Sequence, residues 1–158
     1  MTKNWDEKYV TELQTRIESE IGKIFKDPHS VPYTQNSDEI ENLNPGNFRM
    51  ATGTILFTGI NTYPGDTLKN SFLTLNFVLQ QMTQIIKEWD GIPQIYSINT
   101  VMGTFIEPPE VNKLVMNALG TAMTTCFVLE QYINPVFQKK FSTRVTFSMG
   151  MDLSLIHI

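Results

Sequence analysis

The sequence has very few of the residues that build disulfide frameworks or metal clusters. Among 158 residues there is one cysteine, Cys126, and there are two histidines, His29 and His157. A single cysteine excludes an internal disulfide framework. The two histidines lie far apart in the sequence and have no metal-ligand spacing. Cys126 falls within an apolar helical pattern, so we expect it to be a small buried hydrophobic residue.

Excess positive charge and long hydrophobic runs are also missing. Acidic residues outnumber basic ones, 16 to 12, and the isoelectric point is about 5.1, which argues against a nucleic-acid partner. The first ten residues, MTKNWDEKYV, are charged and amphipathic, which predicts neither a signal peptide nor a membrane span. With 41% hydrophobic residues the chain is long enough for one core, and we expect a cytoplasmic globular protein.

The N-terminal part predicts a helix followed by a polar arm. Apolar residues recur at helical spacing over about Asp6 to Lys26, and Asp27-Pro28 ends the pattern. We therefore assign residues 1–29 to an N-terminal amphipathic helix, 30–49 to a polar connecting arm and 50–158 to the main domain.

The main domain alternates strand and helix patterns. The predicted strands are Met50–Ile60, Ile92–Ile98, Val101–Ile106 and Arg144–Leu153. One predicted helix starts at Gly65-Asp66, with Asp66 as N-cap, carries an apolar stripe from Leu68 to Ile86, and ends near Asp90-Gly91. The other starts at Pro108-Pro109 and ends before Pro135. This order predicts an α+β fold with a ferredoxin-like βαββαβ core, one sheet, and both helices on one face.

Five segments, in this order, resemble the catalytic domain of class III nucleotide cyclases. They are SVPYTQNSDEI, ILFTGI, GIPQIYSINTVMGTF, INPVF and FSMGMD. Together they span about Ser30 to Leu153, and they come closest to the bacterial Pycsar-type pyrimidine cyclases. The resemblance implies conversion of a nucleoside triphosphate to a cyclic nucleotide and pyrophosphate. It also implies a homodimer with active sites between subunits, and two Mg²⁺ or Mn²⁺ ions held by two aspartates.

Both metal aspartates are replaced in this chain. The resemblance aligns the first, at the end of the first strand, with Gly59, and the second, in the hairpin turn, with Asn99. Glycine has no side-chain ligand and asparagine offers one neutral oxygen, whereas Mg²⁺ is usually bound through carboxylates. We therefore assign no catalytic residue and expect a catalytically impaired domain for binding or dimerisation, with a nucleoside triphosphate as candidate ligand and no cofactor unless activity survives.

Two alternatives stay open at this stage. An active cyclase would need a substitute metal ligand, for which Asp66 is the candidate, although capping of the following helix is the more ordinary role. Backbone amides from Tyr63 through Gly65 and Asp66 to Thr67 form a candidate phosphate-binding loop at a helix N-terminus. A further possibility is an unrelated ferredoxin-like domain whose element order is coincidental.

The end of the sequence departs from the family pattern. The family continues past its last matched strand into a section that carries Asn and Arg, so we expect those roles to be missing here. SLIHI, at the end, also departs from the family pattern, and whether it belongs to the domain stays open at this stage. An apolar strand at a sheet edge favours self-association, so we expect poor solubility of the isolated chain.

Overall fold

The computed structural model describes residues 5–26, 50–63, 67–106 and 111–157. The connecting arm assigned to 30–49, the Gly65-Asp66 pair and the Pro108-Pro109 pair therefore lie outside the described residues. The helices are α1 (Glu7–Lys26), α2 (Leu68–Glu88), α3 (Val111–Val128), a π-helical segment (Leu129–Ile133) and α4 (Asn134–Phe141). The strands are β1 (Met50–Tyr63), β2 (Ile92–Ser97), β3 (Thr100–Phe105) and β4 (Arg144–His157).

The four strands form one sheet in the order β2-β3-β1-β4, and every neighbouring pair is antiparallel. Alternate residues of β1 show which face the helices cover. Leu56 and Ile60 are buried, whereas Phe57, between them, is 41% exposed. Since successive side chains point to opposite faces of a strand, the helices cover one face only. The predicted α+β fold, with one sheet and helices on one face, is confirmed.

Helix α1 confirms the predicted N-terminal helix and packs against the helical layer. Leu13, Ile17 and Ile21 are buried at helical spacing. The ring of Tyr9 meets Trp89 edge to face, with centroids 6.2 Å apart. The exposed side of the helix carries charged residues such as Glu7, Lys8 and Glu12, as expected for an amphipathic surface helix.

Both ends of α2 differ from the prediction in detail. Thr67, not Asp66, is the N-cap, and its hydroxyl oxygen accepts from the Asn70 N–H at 3.2 Å. Leu68, the first residue of the predicted apolar stripe, is 76% exposed. The spacing of apolar residues identifies the apolar face of a helix, but it does not show how much of that face packs against other elements. At the C-terminus Asp90, rather than Gly91, takes the left-handed conformation, with φ 59°. A side chain at Gly91 would instead collide with Phe105.

The prediction that the third helix ends before Pro135 is wrong. The π-helical segment follows α3 directly, and α4 then continues the helical path to Phe141, with Pro135 in its first turn. Proline fits there because the first helical positions need no intrahelical N–H donor. Ser142 ends α4 in the left-handed conformation, with φ 52°.

The prediction that Cys126 is buried is also wrong, because its side chain is exposed. The buried face of α3 instead includes Thr121, Thr124 and Thr125. The prediction used only apolar residues to locate the buried face of the helix. It therefore missed these threonines and placed the buried face at the wrong angle around the helix.

The last predicted strand is longer than expected. β4 extends through His157, which pairs with Met50, so that Leu155 lies opposite Thr52. Most of the SLIHI segment therefore belongs to the sheet, and the strand continues beyond the predicted end at Leu153. The 14 residues of β1 give β4 a partner along its full length.

Candidate functional site

Gly59 lies near the end of β1, between two neighbouring strands. It pairs with Thr100 of β3 on one side and with Ser148 of β4 on the other. Its neighbours Thr58 and Ile60 are buried towards the helices, so Gly59 belongs to the face of the sheet opposite the described helices. A Cβ at this position would meet only the Ser148 hydroxyl, at 3.4 Å. The position therefore has room for a side chain.

Asn99 lies in the turn between β2 and β3, beside the end of β1. Its backbone oxygen accepts from the Ile60 N–H at 2.7 Å, and its side-chain Nδ2 donates to the Ile60 oxygen at 3.2 Å. Its side-chain Oδ1 accepts from the Ser97 hydroxyl at 3.0 Å and from the Thr100 hydroxyl at 3.4 Å. The structure thus brings Gly59 and Asn99 together on adjacent strands.

The residues at this strand end do not fit a pair of divalent cations. Gly59 contributes no ligand, and the Asn99 oxygen already accepts two hydrogen bonds. Asp152, the last residue of the FSMGMD segment, pairs with Ile55. It lies four residues along β4 from Ser148, which corresponds to about 13 Å along the strand. In the described ranges, no group of three or more His, Cys, Asp or Glu side chains could hold a metal ion.

The candidate phosphate-binding loop is described only at its two ends. Tyr63 ends β1, where it pairs with Arg144, and Thr67 caps α2. Gly65 and Asp66, between them, lie outside the described residues. The loop therefore stays a prediction.

Three hydroxyl residues at the site were missed in the sequence analysis. Ser97 and Thr100 bond Asn99, and Ser148 faces Gly59. The pattern Ser-Ile-Asn-Thr is a signal for the first two, since hydroxyl and Asx side chains often bond near neighbours in turns. No local signal identifies Ser148, which comes from β4.

The described side chains around Gly59 and Asn99 are neutral. Asn99, Ser97, Thr100 and Ser148 can donate and accept hydrogen bonds but carry no charge near neutral pH. Within the described ranges, the two groups with a raised pKa lie elsewhere, on helices. Burial, with a smaller contribution from Glu88, raises the pKa of Tyr9, and partial burial raises the pKa of Cys126. The described part of the site can therefore bind by hydrogen bonding but supplies no carboxylate to a cation.

Comparison with solved structures gives a match for the fold. The crystal structure of the adenylyl cyclase CyaB from P. aeruginosa superposes with a TM-score of 0.60 and 15% sequence identity. The match covers 70% of this chain and 60% of that one. The fold is cyclase-like. At this identity the likeness concerns the fold alone, and this chain matches less than two thirds of the length of the adenylyl cyclase.

Sequence comparisons assign the chain to no protein family. No protein-family model matches the chain, and no curated protein matches it. None of the helices in the described ranges combines the length and apolarity of a bilayer-crossing segment.

Proposed function

We propose that this chain is a class III cyclase-like domain that has lost catalysis and serves as a binding or dimerisation module. The observation that carries the proposal is the neutral strand end, where Gly59 and Asn99 lie side by side and neither provides a carboxylate. The cyclase-like fold and its hydrophobic core support it, because the fold is present although neither Gly59 nor Asn99 supplies a carboxylate.

The size of the electrostatic loss favours a nearly complete loss of catalysis over a modest reduction in rate. Two unit charges 4 Å apart interact by about 4 kcal/mol at an effective dielectric constant of 20. A loss of about 4 kcal/mol in transition-state stabilisation lowers a rate by roughly three decades. Since two carboxylates are replaced, two-metal cyclisation should be close to undetectable.

Turnover assays test the loss of catalysis. The purified chain is incubated with ATP, GTP, CTP or UTP and Mn²⁺, and cyclic products are separated and identified by mass spectrometry. We expect no cyclic nucleotide above the level of a protein-free control. Formation at the rate of an ordinary cyclase would overturn the proposal.

The binding and dimerisation roles have separate tests. Calorimetry with each nucleoside triphosphate in EDTA measures whether affinity persists without a metal, as the candidate loop from Tyr63 to Thr67 predicts. Light scattering after size-exclusion chromatography measures the proposed homodimer. A monodisperse monomer at high protein concentration would contradict dimerisation. A cytoplasmic location and a relationship to Pycsar-type pyrimidine cyclases belong to the same proposal.

An active cyclase with a substitute ligand is the second candidate, and one observation favours it. Because Thr67 caps α2, the capping role that sequence analysis gave to Asp66 is filled by another residue. This candidate predicts that Asp66→Ala abolishes both Mn²⁺ binding and turnover, while Asp152→Ala, the same change at an exposed strand position, leaves both intact. Unmeasurable Mn²⁺ binding by the unmodified chain would exclude it.

A further inference from the structure

The hydrogen bonds of Asn99 tie the β2–β3 turn to the end of β1. Ile60 offers one N–H and one carbonyl towards this turn, and Asn99 takes both. Its backbone oxygen accepts from the N–H at 2.7 Å, and its side-chain Nδ2 donates to the carbonyl at 3.2 Å. These contacts continue the pairing of β1 with β3 one residue beyond the Gly59–Thr100 pair.

Chemistry fixes the orientation of the Asn99 amide. The Ile60 carbonyl can only accept a hydrogen bond, so the amide NH₂ group must face it. The amide oxygen then faces the hydroxyls of Ser97 and Thr100, at 3.0 and 3.4 Å, both of which can donate. Both polar atoms of the half-buried Asn99 side chain therefore have a partner within the chain.

We propose that Asn99 is a positioning residue that replaces a cation as the connection between the hairpin turn and β1. An aspartate here would turn an oxygen towards the Ile60 carbonyl, and two oxygens in contact need a bound cation or a proton between them. Asparagine supplies an N–H donor instead. Asparagine in place of aspartate at position 99 thus removes a metal ligand. It also makes the connection between the β2–β3 turn and β1 independent of metal. This inference rests on hydrogen-bond geometry and holds whether or not the chain binds nucleotides.

The direct test is Asn99→Asp, compared with Asn61→Asp. Both variants change an amide to a carboxylate near the same strand end, but Asn61 is exposed. In EDTA we expect Asn99→Asp to lower the melting temperature by roughly 3–10 °C, because the Ile60 carbonyl loses its hydrogen-bond donor and faces a carboxylate. We expect Asn61→Asp to change it by less than about 2 °C. Equal melting temperatures for the unmodified chain and Asn99→Asp would overturn the inference.

Two measurements on the unmodified chain keep the inference testable if Asn99→Asp does not fold. In hydrogen exchange with EDTA present, the Ile60 amide should be protected, because its acceptor is the Asn99 backbone oxygen. Millimolar Mn²⁺ should leave the melting temperature unchanged. Rapid exchange of the Ile60 amide in EDTA that slows in Mn²⁺ would show a metal-dependent junction and overturn the inference. None of these readouts uses nucleotide turnover, so failure here is distinguishable from failure of the proposed function.

Discussion

The indole of Trp89 lies directly against the backbone of Gly120, and this contact joins α2 to α3. A methyl group at Gly120 would overlap the six-membered ring. The indole N–H donates to the Thr124 hydroxyl at 3.0 Å, one helical turn further along α3. Trp89 is only 6% exposed, so both its apolar surface and its polar atom are accommodated inside the protein.

Substitution of Gly120 by alanine should therefore destabilise the fold. The added methyl group must displace the Trp89 ring and weaken its hydrogen bond to Thr124. We expect a loss of about 1–3 kcal/mol in the free energy of unfolding, measured by urea denaturation. Gly22→Ala in α1 is the matched control, since nothing lies within 4 Å of a Cβ there. That change should stabilise by about 0.5–1 kcal/mol through helix propensity. Equal effects of the two substitutions would contradict the prediction.

Asn134 connects the start of α4 to the start of β4. Its side-chain oxygen accepts from the Val145 N–H at 2.9 Å, and its Nδ2 donates to the Val145 oxygen at 3.0 Å. The side chain is buried, so alanine leaves two backbone groups without partners. We expect Asn134→Ala to cost about 2–4 kcal/mol in urea denaturation. Asn76→Ala, at an exposed position of α2, should stay within about 0.5 kcal/mol. A similarly small effect at Asn134 would show that water replaces it.

Patterns repeated along the chain predicted the fold well. The α2 stripe from Leu75 to Ile86 and the run rich in Thr, Ile, Leu and Phe in β1 depend on near neighbours, and the order of the elements then restricts the possible sheet topologies. Contacts between distant segments were not predictable in this way. No local pattern indicates that Asn134 bonds the Val145 backbone, or that a π-helical segment links α3 to α4 so that the helical path continues past Pro135.

The candidate site was predictable only in part. The positions Gly59 and Asn99 followed from the resemblance, which aligned them with two metal ligands. The hydrogen bond from Asn99 to the Ile60 carbonyl did not follow, because it requires the register between β1 and the β2–β3 turn. Ser148 reaches Gly59 only because β4 pairs with β1.

The contact between Arg16 and Glu88 should contribute to the docking of α1. The two side chains form a close ion pair rather than a well-aligned hydrogen bond, and they are 25% and 18% exposed. The Tyr9 hydroxyl donates to the other carboxylate oxygen at 3.2 Å. We expect Glu88→Ala to lower the free energy of unfolding by about 1–2 kcal/mol, allowing for partial solvent screening.

An exposed ion pair on α1, the helix that carries Arg16, supplies the control for Glu88. Lys8 and Glu12 are 83% and 66% exposed, with 3.8 Å between Nζ and Oε1. Glu12→Ala should change the free energy of unfolding by less than about 0.5 kcal/mol. If both substitutions have the same small effect, the Glu88 interactions do not stabilise α1 on the helical layer.

Cys126 should react with a thiol reagent in the folded protein, but slowly. Its side chain is exposed, while partial burial of the thiol, with a smaller effect of Glu130, raises its pKa. Because the thiolate is the reactive form, a raised pKa lowers its population near neutral pH. We expect one thiol per chain to react with Ellman's reagent, more slowly than in the urea-unfolded chain and with a pH midpoint shifted upwards.

Two outcomes would contradict this prediction for Cys126. Reaction only after unfolding would mean that the thiol is buried, as the helical pattern first indicated. Equal rates in the folded and unfolded chains would mean that its pKa is not raised. Cys126→Ser should abolish the reaction in both states, which confirms that the signal comes from this residue.

Introducing carboxylates at positions 59 and 99 should create a divalent cation site. Gly59 has room for a side chain beside Ser148, and Asn99 already lies against the end of β1. We expect the double variant Gly59→Asp, Asn99→Asp to bind Mn²⁺ at least about tenfold more tightly than the unmodified chain, measured by calorimetry. A variant with Asn61→Asp and Gly150→Asp adds the same charge at positions that the strand register keeps apart, and it should not gain this affinity.

The effect of Mn²⁺ on stability distinguishes a cation site at positions 59 and 99 from a general effect of added negative charge. In EDTA the double variant should be less stable than the unmodified chain, because the donor to the Ile60 carbonyl is gone. Mn²⁺ at 100 times its dissociation constant should return about 2.7 kcal/mol of stability. The Asn61→Asp, Gly150→Asp variant should respond to neither condition. If Mn²⁺ stabilised both double variants equally, charge density rather than the geometry of positions 59 and 99 would explain the binding, and the assignment of Gly59 and Asn99 as former metal positions would be wrong.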